Sequence, residues 1–227
     1  MWDKNDIKFF RKVLLEWFDS NKRDFPWRKE GISNFELIFS EILLQRTKAE
    51  TVAKYYSTFF EKFPNWEKLI LASDEDIEDI IKPLGLHTQR TKRIRKIIDE
   101  YKLKNGILPR NKNELQESSL ASLYLSNAYE LFVLKKKAAL LDVNMSRILS
   151  RFFFFKDFED VRNDKLIQDL AHNVIDIKNC KELNWAILDF CALVCKAQKP
   201  KCNECKLCCN CCFFEFINAN YYLMEEF

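Results

Sequence analysis

The chain has 227 residues, 48% of them apolar and 31% charged, with a formal net charge of +3. That composition is globular and excludes a disordered chain, and the length allows one sizeable core or two smaller lobes. No apolar run is long enough to span a bilayer, and Asp3, Lys4 and Asp6 interrupt any signal-peptide pattern, so a cytoplasmic protein without a membrane partner is expected. The net charge is too small to imply nucleic acid by itself. Arg90, Lys92, Arg93, Arg95, Lys96, Lys102 and Lys104 crowd one segment and Lys135 to Lys137 another, which on charge alone reads as solvated helix faces.

Along the chain the apolar spacing is helical. Ile7, Phe10, Val13, Leu14, Trp17 and Phe18 mark a first helix, followed by a loop holding Pro26. Phe35, Ile38, Ile42 and Leu43 mark a second, with Ser33 or Asn34 as its N-cap. Val52, Tyr55, Tyr56, Phe59 and Phe60 mark a third, ended by Pro64. Ser73 followed by Glu75 and Asp76 predicts a capping box, with a stop at Pro83 and Gly85. Thr88 to Lys102 reads as a basic helix with Ile94, Ile97 and Ile98 on its apolar side, and "NGILPR" as a turn. Two or three helices follow between Asn113 and Leu134, one from about Asn144 to Phe155, and a last pair over Lys165 to Val174 and Leu183 to Cys195. With three glycines, five prolines and no alternating pattern, the expected fold class is all-α.

Seven of the nine cysteines fall between Val194 and Cys212. Cys195, Cys202, Cys205 and Cys211 are spaced C-x6-C-x2-C-x5-C on a stretch with Pro200 and no helical period. Clustered cysteines in a reducing compartment indicate a metal more than disulfides. Zinc favours two close pairs with a long spacer; four ligands in one compact loop fit an iron–sulfur cluster better. Cys208, Cys209 and Cys212 leave the register of the fourth ligand open, and Cys180 and Cys191 read as ordinary buried cysteines.

This spacing resembles the iron–sulfur loop of the helix-hairpin-helix DNA glycosylases, the superfamily of endonuclease III, adenine DNA glycosylase and the thymine–DNA mismatch glycosylases. "RDFPWR" (Arg23 to Arg28), "SEILLQRT" (Ser40 to Thr47), "LGLHTQRTKRI" (Leu84 to Ile94), "LDVNMSRILSRFF" (Leu141 to Phe153) and "AILDFCALVCKAQKPKCNEC" (Ala186 to Cys205) follow in the family's order. The resemblance implies two helical lobes flanking a DNA-binding cleft: residues 30–135 with a hairpin-like segment at 118–134, and 1–29 with 136–212 carrying the cysteine loop at 195–212, then a tail at 213–227. It implies a 4Fe-4S cluster, a double-stranded DNA partner with a mispaired or damaged base, and a monomer.

By itself the Asp142, Asn144 pair reads as capping residues before a helix. The resemblance makes Asp142 the catalytic carboxylate, which stabilises positive charge on the sugar or activates a water as the N-glycosidic bond breaks, with capping left to Asn144. Glu41 is either an exposed glutamate on an outer face or, by the resemblance, a carboxylic acid in the base pocket. Tyr124 stands where lyases of the family carry a lysine nucleophile, which implies base removal without strand cleavage; its plain reading is packing. Gln45 and Arg46 take the place of the plug that fills the gap left by a flipped base. His87, Gln89, Arg90, Ser122, Asn144 and Arg147 complete the implied DNA contacts, His87 being otherwise a surface loop histidine.

One stretch departs from the family. Its hairpin normally reads Leu-Pro-Gly-Val-Gly, whose glycines let backbone N–H groups approach a phosphate; here Ser118, Ser119, Leu120, Ala121 and Ser122 stand there. Thymine or uracil opposite guanine is the expected substrate, from Tyr124, "EILLQRT" and the chain's ending soon after the cysteines. "DFPWR" and Gln45 point to adenine, and the altered hairpin to a modified base. Outside that class stand a bifunctional lyase and a non-catalytic iron–sulfur DNA-binding protein.

Overall fold

The computed structural model describes residues 2–155 and 164–224. Among the described residues every regular element is a helix, so the all-α expectation holds. The α-helices are α1 (Lys4–Asn21), α2 (Asn34–Leu44), α3 (Ala49–Lys62), α4 (Trp66–Leu71), α5 (Asp74–Ile81), α6 (His87–Leu103), α7 (Lys112–Gln116), α8 (Leu123–Phe132), α9 (Val143–Phe153), α10 (Lys165–Ile175), α11 (Cys180–Leu193) and α12 (Cys212–Met224). Two compact units share them: Asp24–Lys136, and Met1–Arg23 with Lys137–Phe227. The seams thus fall at 23/24 and 136/137, against expected seams at 29/30 and 135/136.

The unit of α2 to α8 is built on aromatic side chains. Phe35, Phe39, Phe59 and Phe63 are buried, and Trp66 stacks on Tyr101 with ring centroids 3.9 Å apart. Phe25 and Trp27, from the "RDFPWR" stretch, stack at 4.7 Å in the same unit. Each such side chain removed from water contributes about 1.5–3 kcal/mol. The helix starts are local. Ser33 caps α2 and Ser73 caps α5, each in a reciprocal box with Glu36 and Asp76, and such a cap contributes about 1 kcal/mol. Gly85, at φ 74, ends the turn after α5 in a conformation that costs glycine little.

In the other unit α1 packs on α11: Trp17 meets the edge of Phe190 with centroids 4.9 Å apart, and Phe10 reaches Phe152 of α9 at 5.1 Å. The end of α1 is pinned by Asp189, which is 0% exposed and accepts from Arg23 Nε at 2.7 Å and from the Arg23 amide at 3.0 Å. Removing one side of such a buried pair costs about 3–5 kcal/mol, since the other charge is left uncompensated.

Two helices were not expected. The six-residue α4, capped by Asn65, is too short to show a period. Residues 213–227, read as a tail, are helical as far as Met224, and 225–227 lie outside the described residues.

Candidate active site and cysteine loop

In the aromatic unit, Glu41 lies on the inner face of α2 and is only 7% exposed, which overturns the outer-face alternative. It shares an apolar pocket with Leu37, Ile38, Leu120, Leu125 and Phe132. Burial pushes its carboxyl up to about 7, against a hydrogen bond from Tyr124 and the nearby Arg28 charge, both of which favour the carboxylate. Among the described residues Glu41 Oε2 has no hydrogen-bond partner. A carboxyl near neutrality with one oxygen unengaged can give or take a proton at physiological pH.

The turn after α2 carries the expected plug residues. Arg46 is exposed and holds φ 57, in the left-handed region where a non-glycine residue is strained. The turn is locked from beneath: Thr47 Oγ1 donates to the Leu84 carbonyl at 3.0 Å, and Arg90 Nη2 reaches the Gln45 carbonyl and Thr47 Oγ1, each at 2.9 Å. Arg90 Nη1 donates to the Gly85 carbonyl at 2.6 Å. Arg90 was expected to contact DNA; its hydrogen bonds are all to protein oxygens. At 5% exposure, with its guanidinium bonded to protein oxygens, it holds the turn after α2 in place. His87 is half-buried and Gln89 exposed, both in the first turn of α6.

The glycine-less hairpin still forms. Residues 118–122 all have negative φ, so the turn requires no glycine. Ser122 caps α8, its Oγ accepting from the Leu125 amide at 3.4 Å. Two residues of α6 that the sequence reading did not single out hold the hairpin. Glu100 accepts from the Ser119 amide and hydroxyl, and Arg93 reaches Ser119 O, Ser122 Oγ and Gln45 Oε1. They are seven residues apart and so share one helix face; that spacing was readable, but nothing in the sequence says which face meets the hairpin.

In the other unit Asp142 is half-buried at the start of α9. Its Oδ1 accepts from the Asn144 and Met145 amides at 2.9 and 2.8 Å, and its Oδ2 from Asn144 Nδ2 at 2.7 Å. The helix cap is thus Asp142 itself, not Asn144, whose side chain instead fixes the free oxygen of the cap. Burial raises the Asp142 carboxyl above the usual range, while these bonds and Arg147 work to keep it charged. Arg147 was expected to contact DNA; its Nε donates to the Cys195 carbonyl at 3.1 Å, Nη1 to Asn144 Oδ1 at 3.1 Å and Nη2 to the Cys191 carbonyl at 3.4 Å. It ties α9 to the end of α11.

Beyond α11, successive turns are closed by Cys205 N to Cys202 O at 3.1 Å, Cys208 N to Cys205 O at 3.2 Å and Cys211 N to Cys208 O at 3.2 Å. Two single 3-10 turns, Cys202–Glu204 and Cys208–Asn210, are separated by extended backbone at Cys205, and the chain so folds back on itself. Cys195, Cys202, Cys205, Cys208 and Cys211 line one pocket, along with Arg151 and Pro200. Cys209 is exposed and Cys212 does not line the pocket, so the spare thiol in reach is Cys208. Burial pushes Cys205 up to about 12 and Cys211 to about 11, and both are raised further by neighbouring thiols of the set. Several soft thiols that resist ionising together fit a cationic centre, which would relieve that repulsion. Among the described residues no three Cys, His, Asp or Glu side chains converge as a single metal ion would require. Cys180 and Cys191 are buried, as expected.

Residues 39–174 match the HhH-GPD superfamily, described as base excision DNA repair proteins. The chain is 30% identical to a thymine/uracil-DNA glycosylase of Methanothermobacter thermautotrophicus, over 92% of this chain and 94% of that one. It is 30% identical to an adenine DNA glycosylase of Rattus norvegicus, over 89% of this chain but 41% of that one. The structure of a thermostable thymine-DNA glycosylase superposes with a TM-score of 0.84 at 29% identity, covering 93% of this chain and 98% of that chain. A trapped endonuclease III–DNA covalent intermediate shares the fold, with a TM-score of 0.80 at 20% identity over 95% of this chain and 99% of that one. The chain belongs to the HhH-GPD superfamily of base excision DNA repair proteins.

Proposed function

We propose that this DNA glycosylase is monofunctional and removes thymine or uracil mispaired with guanine from double-stranded DNA. The observation that carries the reading is the Glu41–Tyr124 pair. A phenol, not an amine, donates to the buried carboxyl of the apolar pocket, and a phenol there forms no Schiff base with the sugar. The 30% identity to a thymine/uracil-DNA glycosylase along nearly the whole of both chains supports the choice of base.

Each residue then has a chemical task. As the bond between C1′ and the base nitrogen breaks, the sugar gains positive charge. The Asp142 carboxylate, held by three hydrogen bonds, stabilises that charge without having to reorganise. Water adds its oxygen to C1′ and loses a proton, and the departing base gains one. Glu41, near neutrality, is the group suited to proton exchange with the base. Gln45 and Arg46 fill the stack, where extrusion of a mismatched base costs a few kcal/mol. Cys195, Cys202, Cys205 and Cys211 would hold a 4Fe-4S cluster, which when bound would supply a rigid cross-link between the two ends of the loop. The protein works as a monomer alongside the DNA, in the cytoplasm of a prokaryote or the nucleus of a eukaryote. No described helix is long and apolar enough to cross a membrane.

A second reading, adenine excision, is favoured by the same Glu41, because a purine leaves more readily once protonated and a carboxyl at about 7 can supply the proton. The test is a panel of labelled duplexes carrying T·G, U·G, A·G and A·oxidised-G pairs, each read with and without alkali. Breaks at T·G and U·G only after alkali are expected. Breaks without alkali mean a lyase, breaks confined to the adenine pairs mean the second reading, and tight binding with no base loss means a non-catalytic DNA-binding protein.

A further inference from the structure

The hairpin at 118–122 has its own amides in use. The Ser118 amide donates to Leu115 O at 3.2 Å, Ala121 to Ser118 O at 3.0 Å and Ser122 to Leu120 O at 2.8 Å. Leu120 N donates to Ser118 Oγ at 3.2 Å. The Ser119 amide lies 2.9 and 2.8 Å from the two carboxylate oxygens of Glu100, and its hydroxyl 2.6 Å from one of them. Five consecutive N–H groups thus have acceptors inside the unit, and the one directed at an anion is already occupied by an internal one. A phosphate could take these amides only by breaking bonds of equal kind.

Arg93 presents the opposite situation, two turns earlier on the same face of α6. Its Nη1 donates to Gln45 Oε1 at 2.9 Å, and its Nη2 reaches Ser119 O and Ser122 Oγ at 3.4 Å each. All three acceptors are neutral. Burial lowers its affinity for its proton, and no carboxylate among the described residues offsets this. A guanidinium has five N–H donors in a planar fork, and these three contacts leave part of the fork unused. A half-buried cation with spare donors and no counter-charge is matched by a phosphate, which accepts in bidentate fashion. Lys92 and Lys96, on the neighbouring positions of the helix, are exposed and add positive field.

We infer that this hairpin grips a DNA phosphate through the Arg93 guanidinium, seated on Ser119 and Ser122, in place of its backbone amides. The inference rests on the reading of the protein as a DNA glycosylase. It accounts for the missing glycines: once a side chain makes the contact, the backbone need not approach the DNA closely, and the serines serve to hold the hairpin and seat the arginine. Because Arg93 also holds Gln45, the phosphate contact and the plug turn are joined through one side chain.

The test measures duplex affinity over a salt series for wild type, Arg93→Gln and Arg93→Lys, with thermal unfolding of each. Each neutralised phosphate contributes about 0.9 to the slope of log K against log salt. Arg93→Gln should lower that slope by about this amount at near wild-type Tm, and Arg93→Lys should restore it. Should Arg93→Gln fail to fold, Arg93→Met, which keeps the apolar stem, takes its place in the comparison. An unchanged slope in the neutral variant overturns the proposal, as does an equal loss of affinity and Tm in the neutral and lysine variants, which would mark a packing role. A wild-type protein that neither binds duplex nor releases a base fails at an earlier point: it overturns the glycosylase reading, and the proposal with it.

Discussion

Asn144 Nδ2 donates to Asp142 Oδ2 at 2.7 Å while the first turn of α9 holds the other oxygen of the same carboxylate. One side chain therefore caps a helix and presents a carboxyl group fixed in place, and the two duties can be separated. Asparagine caps as well as aspartate, whereas alanine loses about 1 kcal/mol. Asp142→Asn should keep the Tm and the DNA affinity of the wild type and slow base release by about a hundredfold or more. Single-turnover kinetics beside thermal unfolding check this; wild-type rates in Asp142→Asn would remove the carboxylate from the chemistry.

Glu41 ties stability to pH. Its carboxyl is raised from an ordinary 4.5 to about 7, so the folded protein binds a proton that the unfolded chain has released across that interval. Stability is then fully present below the unfolded value and falls as pH rises through about 7, by about 3 kcal/mol in all. Glu41→Gln has no charge to bury, so its Tm should stay level where that of the wild type declines. Thermal melts of both proteins from about pH 5 to 8 decide it, and parallel curves would contradict the burial described.

Tyr124 acts on the same equilibrium from the other side. Its hydrogen bond favours the charged form of Glu41 against burial. Tyr124→Phe removes that bond and keeps the ring, so the carboxyl should move above 7 and the pH-dependent decline in Tm should shift to higher pH. A curve superimposable on wild type would mean the phenol only packs.

Legibility followed the range of the interactions. Asp142 and the serine caps were readable because their partners lie within three residues, as in Ser33 with Glu36, and the cysteine loop because its thiols crowd one short stretch of chain. Glu41 was placed in a pocket only by the resemblance and not by its own helix pattern, since that pocket draws Leu120 from the hairpin and Phe132 from α8. The long cations were misplaced for a similar reason. Arg90 and Arg147 donate to backbone carbonyls such as Gln45 O and Cys195 O, 45 and 48 residues away, and a carbonyl acceptor leaves no trace in side-chain identity. Basic residues in a basic segment therefore looked alike, although Arg90 is enclosed, Arg93 is half-buried beside the hairpin and Lys92 is exposed.

Arg90 and Arg93 should accordingly separate by experiment. Arg90→Met loses the bonds to Gly85 O, Gln45 O and Thr47 Oγ1, all part-buried, at a cost on the order of 1–3 kcal/mol. Its salt slope for DNA should nevertheless equal that of the wild type, because no phosphate contact has been removed. Denaturant melts and a salt series on the one variant test both statements. A slope reduced by about 0.9 with unchanged stability would return Arg90 to the DNA interface.

The cysteine loop offers five thiols for four positions, and its turn geometry says which substitutions are tolerated. Cys209 is exposed and outside the pocket, so Cys209→Ser should keep the full iron and sulfide content. Cys195→Ser, Cys202→Ser and Cys205→Ser should each lose the cluster and part of the stability of the loop. Cys208 lies three residues from both Cys205 and Cys211 and lines the same pocket. Cys208→Ser should leave iron content unchanged, Cys211→Ser should retain a reduced amount through Cys208, and the double variant should have none. Iron and sulfide analysis of the purified proteins, with their visible absorption, reads all of these. If Cys208→Ser alone strips the iron, Cys208 and not Cys211 is the fourth ligand; zinc in place of iron in the active wild type would overturn the cluster itself.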